Sequence, residues 1–173
     1  MRLFLLVLLG STLGSCQTVP PATQTRMVET REAMIDGVNP AALTIWDIGN
    51  NALAVNRALS PLRTDELPWA RLAEAARTLE LYSRSMGEAD IIRAGGPDLG
   101  SGEVPPGVAS KAEIQAMIDA DPEGFRDLSL ELATRAVALR QAAEARDAVR
   151  ARELANSIGE PCQSCHSRYW YAQ

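Results

Sequence analysis

Cys162-Gln163-Ser164-Cys165-His166, close to the carboxy terminus, holds two of the three cysteines and the only histidine of the 173-residue chain. The C-x-x-C-H spacing is that of a c-type haem attachment site. On a helix the positions i, i+3 and i+4 share one face, so Cys162, Cys165 and His166 can all meet one flat ligand. Two thiols then add to the two vinyl groups of a haem, and the imidazole binds the iron from one side as proximal ligand. Three plainer readings compete: half of a zinc site, a dithiol redox pair, or a chance cluster. A structural zinc site wants four ligands, and the chain has no second cysteine pair and no second histidine. A redox C-x-x-C belongs beside a strand-helix-strand pattern, which this helix-rich sequence does not show.

The amino terminus agrees with export. Met1-Arg2 is a minimal charged start, Leu3 to Leu9 is a short apolar run, and Gly10, Ser11 and Thr12 turn small and polar. Residues 1–15 therefore read as a signal peptide, too short to span a bilayer. Leu13-Gly14-Ser15-Cys16 has the form of a lipobox, after which cleavage leaves the Cys16 thiol to carry a diacylglycerol anchor. Glycine two residues before the cysteine is a less usual choice, and the competing reading is ordinary cleavage with an unpaired Cys16. A free exposed thiol in an oxidising compartment is a liability, which favours lipidation. Residues 16–24, with Pro20-Pro21, form a short extended tether. Residues 25–173 are expected to form one domain, since the length suits one core better than two.

Alanine is abundant, aromatics are 5% of the chain, and β-branched residues do not cluster, so the expected class is all-α. The net charge of -5 disfavours nucleic acid as a partner. Four helical stretches can be placed, which predicts an antiparallel four-helix bundle. The first runs from about Thr25 to Ala58, interrupted at Gly37-Val38-Asn39-Pro40, where Asn39 can cap and Pro40 can open the continuing turn. Beyond the interruption, Ala41, Ile45, Ile48, Ala52, Val55 and Leu59 recur at heptad spacing. The second carries Trp69, Leu72, Ala76 and Leu79 on one face and stops at Gly87. Gly87 to Ala109 reads as a long surface loop that either shields the cofactor edge or merely connects. Ser110-Lys111-Ala112-Glu113 has the form of a capping box and opens a short helix. Asp121-Pro122 starts the third long helix, with Phe125, Leu128, Leu132, Ala136, Leu139 and Ala143 as its stripe. The fourth begins at Asp147 and aligns Ala151, Ala155, Ile158, Cys162, Cys165 and Tyr169, which puts the thiols on its buried face. Trp46 and Trp69 read as core or rim aromatics, and Tyr169, Trp170 and Tyr171 as packing over the bundle end.

Four amphipathic helices with C-x-x-C-H on the last one, and an amino-terminal helix reading Met27-Val28-Glu29-Thr30-Arg31-Glu32-Ala33-Met34, resemble the class II cytochromes c. That group comprises the cytochromes c prime and their low-spin relatives. The resemblance spans the chain from about Thr25 onward and implies one haem c held through Cys162 and Cys165, with His166 as proximal ligand. In low-spin members a methionine of the first helix is the sixth iron ligand and a nearby arginine pairs with a haem propionate. The matching residues here are Met34 and Arg31, with Met27 as second candidate. Methionine on an apolar stripe is otherwise a packing residue, and most arginines are solvated surface charges. Two departures from the family pattern stand out: Pro161 just before the motif, which removes a helix hydrogen bond unless it lies in a fresh first turn, and the long loop.

The expected function is a periplasmic, membrane-tethered, monohaem electron carrier, not an enzyme, with His166 and Met34 on the two sides of the iron and a redox protein as partner. The alternative is a five-coordinate gas-binding protein in which Met34 only packs and the sixth position is vacant. A third class is a haem-free lipoprotein used as an interaction module. Association of two bundles as a homodimer, and the choice between inner and outer membrane, are left open by the residues.

Overall fold

The computed structural model describes residues 24–51, 68–97 and 106–170. The expected signal peptide (residues 1–15), Cys16, the heptad positions Ala52, Val55 and Leu59, and Tyr171 lie outside the described residues. Helices α1 (Thr30–Ala33), α2 (Asn39–Asn51), α3 (Trp69–Gly87), α4 (Lys111–Ala120), α5 (Pro122–Glu144), α6 (Ala148–Ser157) and α7 (Gly159–Tyr169) are joined by a short parallel pair, β1 (Met27–Glu29) and β2 (Ile91–Arg93). Helices α1 and α2 are one rod, as are α6 and α7, so with α3 and α5 they make a four-helix bundle and α4 is an extra short helix against α5 and α7.

The core follows the helical period. On α3, Leu72, Ala76, Leu79, Ser83 and Met86 are buried; on α5, Phe125, Leu132, Ala136, Leu139 and Ala143 are. These two helices share the most extensive contact in the molecule. Small residues allow it: Ala76, Ala133 and Ala136 are fully buried. A Cβ on Gly87 would lie 2.5 Å from Leu130 Cγ, so this glycine serves the close approach of α5 as well as the end of α3.

Three expected starts are present. Ser110 caps α4 with a complete capping box: its Oγ accepts from the Glu113 N–H at 3.3 Å, and Glu113 Oε2 accepts from the Ser110 N–H at 2.7 Å. Asp121 caps α5 by accepting from the Gly124 N–H at 3.1 Å, with Pro122 in the first turn. Asp147 caps α6 by accepting from the Arg150 N–H at 3.0 Å.

The first helix differs from expectation at both of its features. It begins at Thr30 rather than Thr25, because residues 27–29 pair with residues 91–93, in register Met27↔Ile91, Val28↔Ile92 and Glu29↔Arg93. Thr30 Oγ1 and the Arg31 N–H both donate to Ala94 O, at 3.1 and 3.2 Å, and bind the helix start to the same strand. The other edge of β2 is covered by Gln115, whose Nε2 donates to Ile92 O at 3.2 Å and whose Oε1 accepts from the Ala94 N–H at 2.9 Å; an open strand edge would invite pairing with another chain. Part of the expected long loop is therefore strand. At the second feature, Gly37-Val38-Asn39-Pro40 does not interrupt the helix. Met34–Val38 form a π-helical turn, closed by the Asn39 N–H donating to Met34 O, and Asn39 is itself helical (φ -63°, ψ -50°) rather than a cap. Pro40 has no N–H and its ring would crowd the carbonyl four residues back in an α-helix; a wider turn relieves that crowding without ending the rod.

The end of the bundle at the start of α5 is closed by Tyr169. Its ring stands edge-on to Phe125 at 5.3 Å, and its hydroxyl donates to Asp121 O and Oδ2 at 3.0 and 3.1 Å. Arg168 pairs with Asp121 as well. Asp121 is held below the usual carboxylate value of 3.8 by the Gly124 N–H, the Tyr169 hydroxyl and Arg168, while burial and the carboxylate acceptor push Tyr169 from 10.0 up to about 12. A depressed acid contributes stability above its unfolded value, and the contribution is lost as pH falls through the folded one; a raised Tyr contributes below 10 and loses it as pH rises towards 12. Urea titrations across pH are expected to show a plateau between these limbs. Asp121→Asn should flatten the acid limb and Tyr169→Phe the alkaline one; limbs unchanged in both variants would show that this cluster does not link pH to folding.

Candidate haem site

Helix α7 carries the attachment motif, and Pro161 sits in its first turn. The N–H that Pro161 lacks would have bonded Ser157 O, at the junction where Ile158 joins α6 to α7. Arg135 of α5 takes that place: its Nη1 donates to Ser157 O at 3.0 Å and to Glu160 Oε2 at 2.6 Å, and its Nη2 donates to Glu131 at 2.8 Å. Ile158 between the two helices keeps helical dihedrals (φ -58°, ψ -30°), and Ala151, Ala155 and Ile158 remain buried on the stripe that leads to the motif. Replacing Arg135 by Met leaves Ser157 O and two carboxylates without this donor. The expected cost is about 1–2 kcal/mol in urea unfolding, because a charged donor serves a half-exposed junction; a loss below a few tenths would remove the brace from the account.

Cys162, Cys165 and His166 are half-buried and line one wall of a cavity of about 300 Å³, at the lower end of ordinary small-molecule sites, roughly 300–1000 Å³. The first rod lines the same cavity, with Met34, Val38, Asn39, Ala42, Leu43 and Trp46. Met86 of α3 and Leu128, Ser129 and Leu132 of α5 complete it. Leu43 and Trp46, both partly exposed, stand at the mouth. The lining is almost wholly apolar, which suits a planar macrocycle and would keep water from its iron.

Burial sets the state of the three donors. It pushes the Cys162 thiol up and Cys165 up to about 11, and it holds the imidazole of His166 below its ordinary value. The Cys162 thiol donates to Ile158 O at 3.3 Å, and the His166 ring lies 5.8 Å from that of Trp170 at a tilt of 35°. A dithiol redox pair needs a depressed thiol, and both thiols are shifted the other way. A neutral imidazole is the form that binds a metal. Among the described residues no group of three or more His, Cys, Asp or Glu is arranged to hold a bare metal ion, whereas a zinc site needs four donors. The donor set and its apolar cavity fit a haem attached through Cys162 and Cys165.

The two candidate methionines separate. Met34 lines the cavity; Met27 lies on β1, 58% exposed, and is not on the helix face expected for it. Arg31 is exposed, with its side chain against Gly96 rather than in the cavity lining. None of the described residues of the segment 88–109 lines the cavity. Met86, Leu43 and Ser129 were not expected in the site. Met86 follows Leu72 and Leu79 at heptad steps, a signal that reads as core and says nothing of a cavity. Trp46, expected at the core or rim, is at the rim of the site itself.

Residues 99–170 match the family described as Cytochrome C'. A solved structure titled cytochrome c' aligns over 83% of this chain and 98% of its own, with 17% sequence identity and a TM-score of 0.48. A comparison with curated proteins finds no match. The carboxy-terminal part of the chain, which carries both thiols and the histidine, is thus similar to the cytochrome c' family.

Proposed function

We propose that the chain is a class II c-type cytochrome holding one haem c through Cys162 and Cys165. The observation that carries this reading is the placement of both thiols and the only histidine on one wall of an apolar cavity. When bound, the haem supplies one-electron chemistry between ferrous and ferric iron. The protein's part is attachment by the two cysteines, proximal ligation by His166, and exclusion of water by Leu128, Leu132, Val38 and Ala42. Met34, which lines the same cavity, is proposed as sixth ligand, which makes the protein an electron carrier with no substrate transformed. A thioether raises the reduction potential relative to a second imidazole. Leu43 and Trp46 at the mouth would face a redox partner, and the signal sequence with Cys16 supports a lipid-tethered periplasmic location.

A second reading has its own support. The family matched is cytochrome c' itself, which favours a five-coordinate iron with Met34 as packing and a pocket open to NO or CO. Of the two readings it is the one that the family match favours.

Haem retained after denaturation and acid extraction of the mature protein is the expected result for both; haem that extracts freely refutes both. A ferric long-wavelength methionine-to-iron band and slow CO binding would establish the electron carrier, with Met34→Ala losing the band, binding CO readily and shifting the potential downward. Ready CO binding and no band in the parent would establish the gas-binding protein. For the anchor, Cys16→Ser should move the protein from the membrane to the soluble fraction, and persistence in the membrane would refute lipidation there.

A further inference from the structure

Met34, Val38, Ala41, Ile45 and Ile48 follow one another at alternating steps of four and three residues. On an uninterrupted α-helix all five would share one face, and Met34 would be a core residue like the other four, which are 3% exposed or less. It is instead half-buried, and it lines the cavity together with Val38. The π turn Met34–Val38 accounts for the difference. Its closing bond spans five residues, from the Asn39 N–H to Met34 O. One more residue is taken into the turn, so what precedes it is rotated by about one residue's share, roughly 100°.

Two features of the chain select this turn. One is Pro40, discussed above. The other is Gly37, buried against Tyr82 of α3: a Cβ at position 37 would lie 2.1–2.4 Å from the Cδ2, Cγ and Cε2 atoms of the Tyr82 ring. The Cγ atom lies at the root of the side chain and the partly buried ring packs on the core, so a Cβ at position 37 would require the whole ring to shift. The backbone of the turn can lie on the ring only because residue 37 has no side chain.

We infer that the Gly37–Tyr82 contact positions Met34 by holding the π turn that rotates it off the fully buried stripe of Val38, Ala41, Ile45 and Ile48 while it lines the cavity shared with the motif helix. Gly37 and Tyr82 are positioning residues that act through Met34. The inference rests on the reading of Met34 as sixth ligand and extends it to residues that touch neither the cavity nor the motif.

The test uses the full haem-loaded chain with Gly37→Ala, Tyr82→Ala and Tyr82→Phe beside Met34→Ala, each checked for folding by urea. Gly37→Ala and Tyr82→Ala are expected to lose at least half of the methionine-to-iron band and to bind CO at least about tenfold more tightly than the parent, as the competent open form becomes populated. Tyr82→Phe keeps the ring and should keep the band. If one of the first two variants fails to fold, the other carries the test. A full band with parental CO binding in Tyr82→Ala or Gly37→Ala, while Met34→Ala loses the band, overturns the positioning role and leaves the ligation intact. A spectrum unchanged in Met34→Ala defeats the ligation instead. Peroxide oxidation of Met34, read by peptide mass, then decides the positioning alone: a rate changed about threefold or more in Gly37→Ala supports it, and an unchanged rate overturns it.

Discussion

The close contact of α3 with α5 is the constraint on which the site depends. Ala76, Ala133 and Ala136 and the bare backbone of Gly87 bring the two helices together, and interiors packed this tightly do not deform smoothly. The floor of the cavity, Met86 from one helix and Leu128, Ser129 and Leu132 from the other, is thereby fixed in depth. The first rod and the motif rod then stand over that floor as two walls. Each is held by side chains of the α3–α5 pair: Tyr82 of α3 lies on Gly37 of one, and Arg135 of α5 grips the Ser157–Glu160 junction of the other.

Both walls contain a proline that an α-helix ladder cannot accommodate without adjustment, and each is resolved differently. At Pro161 the orphaned carbonyl is given to a guanidinium from a neighbouring helix, so the motif helix keeps its line. At Pro40 the helix itself widens into a π turn, and the turn redirects the residues before it. The first solution preserves the pattern that the spacing of Cys162, Cys165 and His166 implies; the second changes the pattern around Met34. Helical irregularities of the second kind occur often at functional sites.

Much of the bundle was legible because its helices obey local rules. The caps at Ser110, Asp121 and Asp147 are formed by side chains within three residues of the groups they satisfy, and the stripes of α3 and α5 follow the helical period. What was misread involved partners far along the chain. Residues 27–29 look helical in isolation, yet they pair with residues 91–93, and Gln115 completes that ribbon from a third segment. Asn39-Pro40 has the form of a helix start, but the rod continues because a wider turn can absorb the proline. Met27, the second candidate beside Met34, shares a helix face with it in a helical reading, but the two lie on different kinds of element in the fold.

The sequence by itself determined the chemistry of the proximal side: three donors at i, i+3 and i+4 on one helix share a face whatever surrounds them, since that geometry is a property of the backbone. It also determined that the helices are amphipathic and where three of them begin. Only the tertiary structure decided which residues share the cavity with His166, because Met34 follows a π turn that local spacing does not show and the other lining residues come from two further helices.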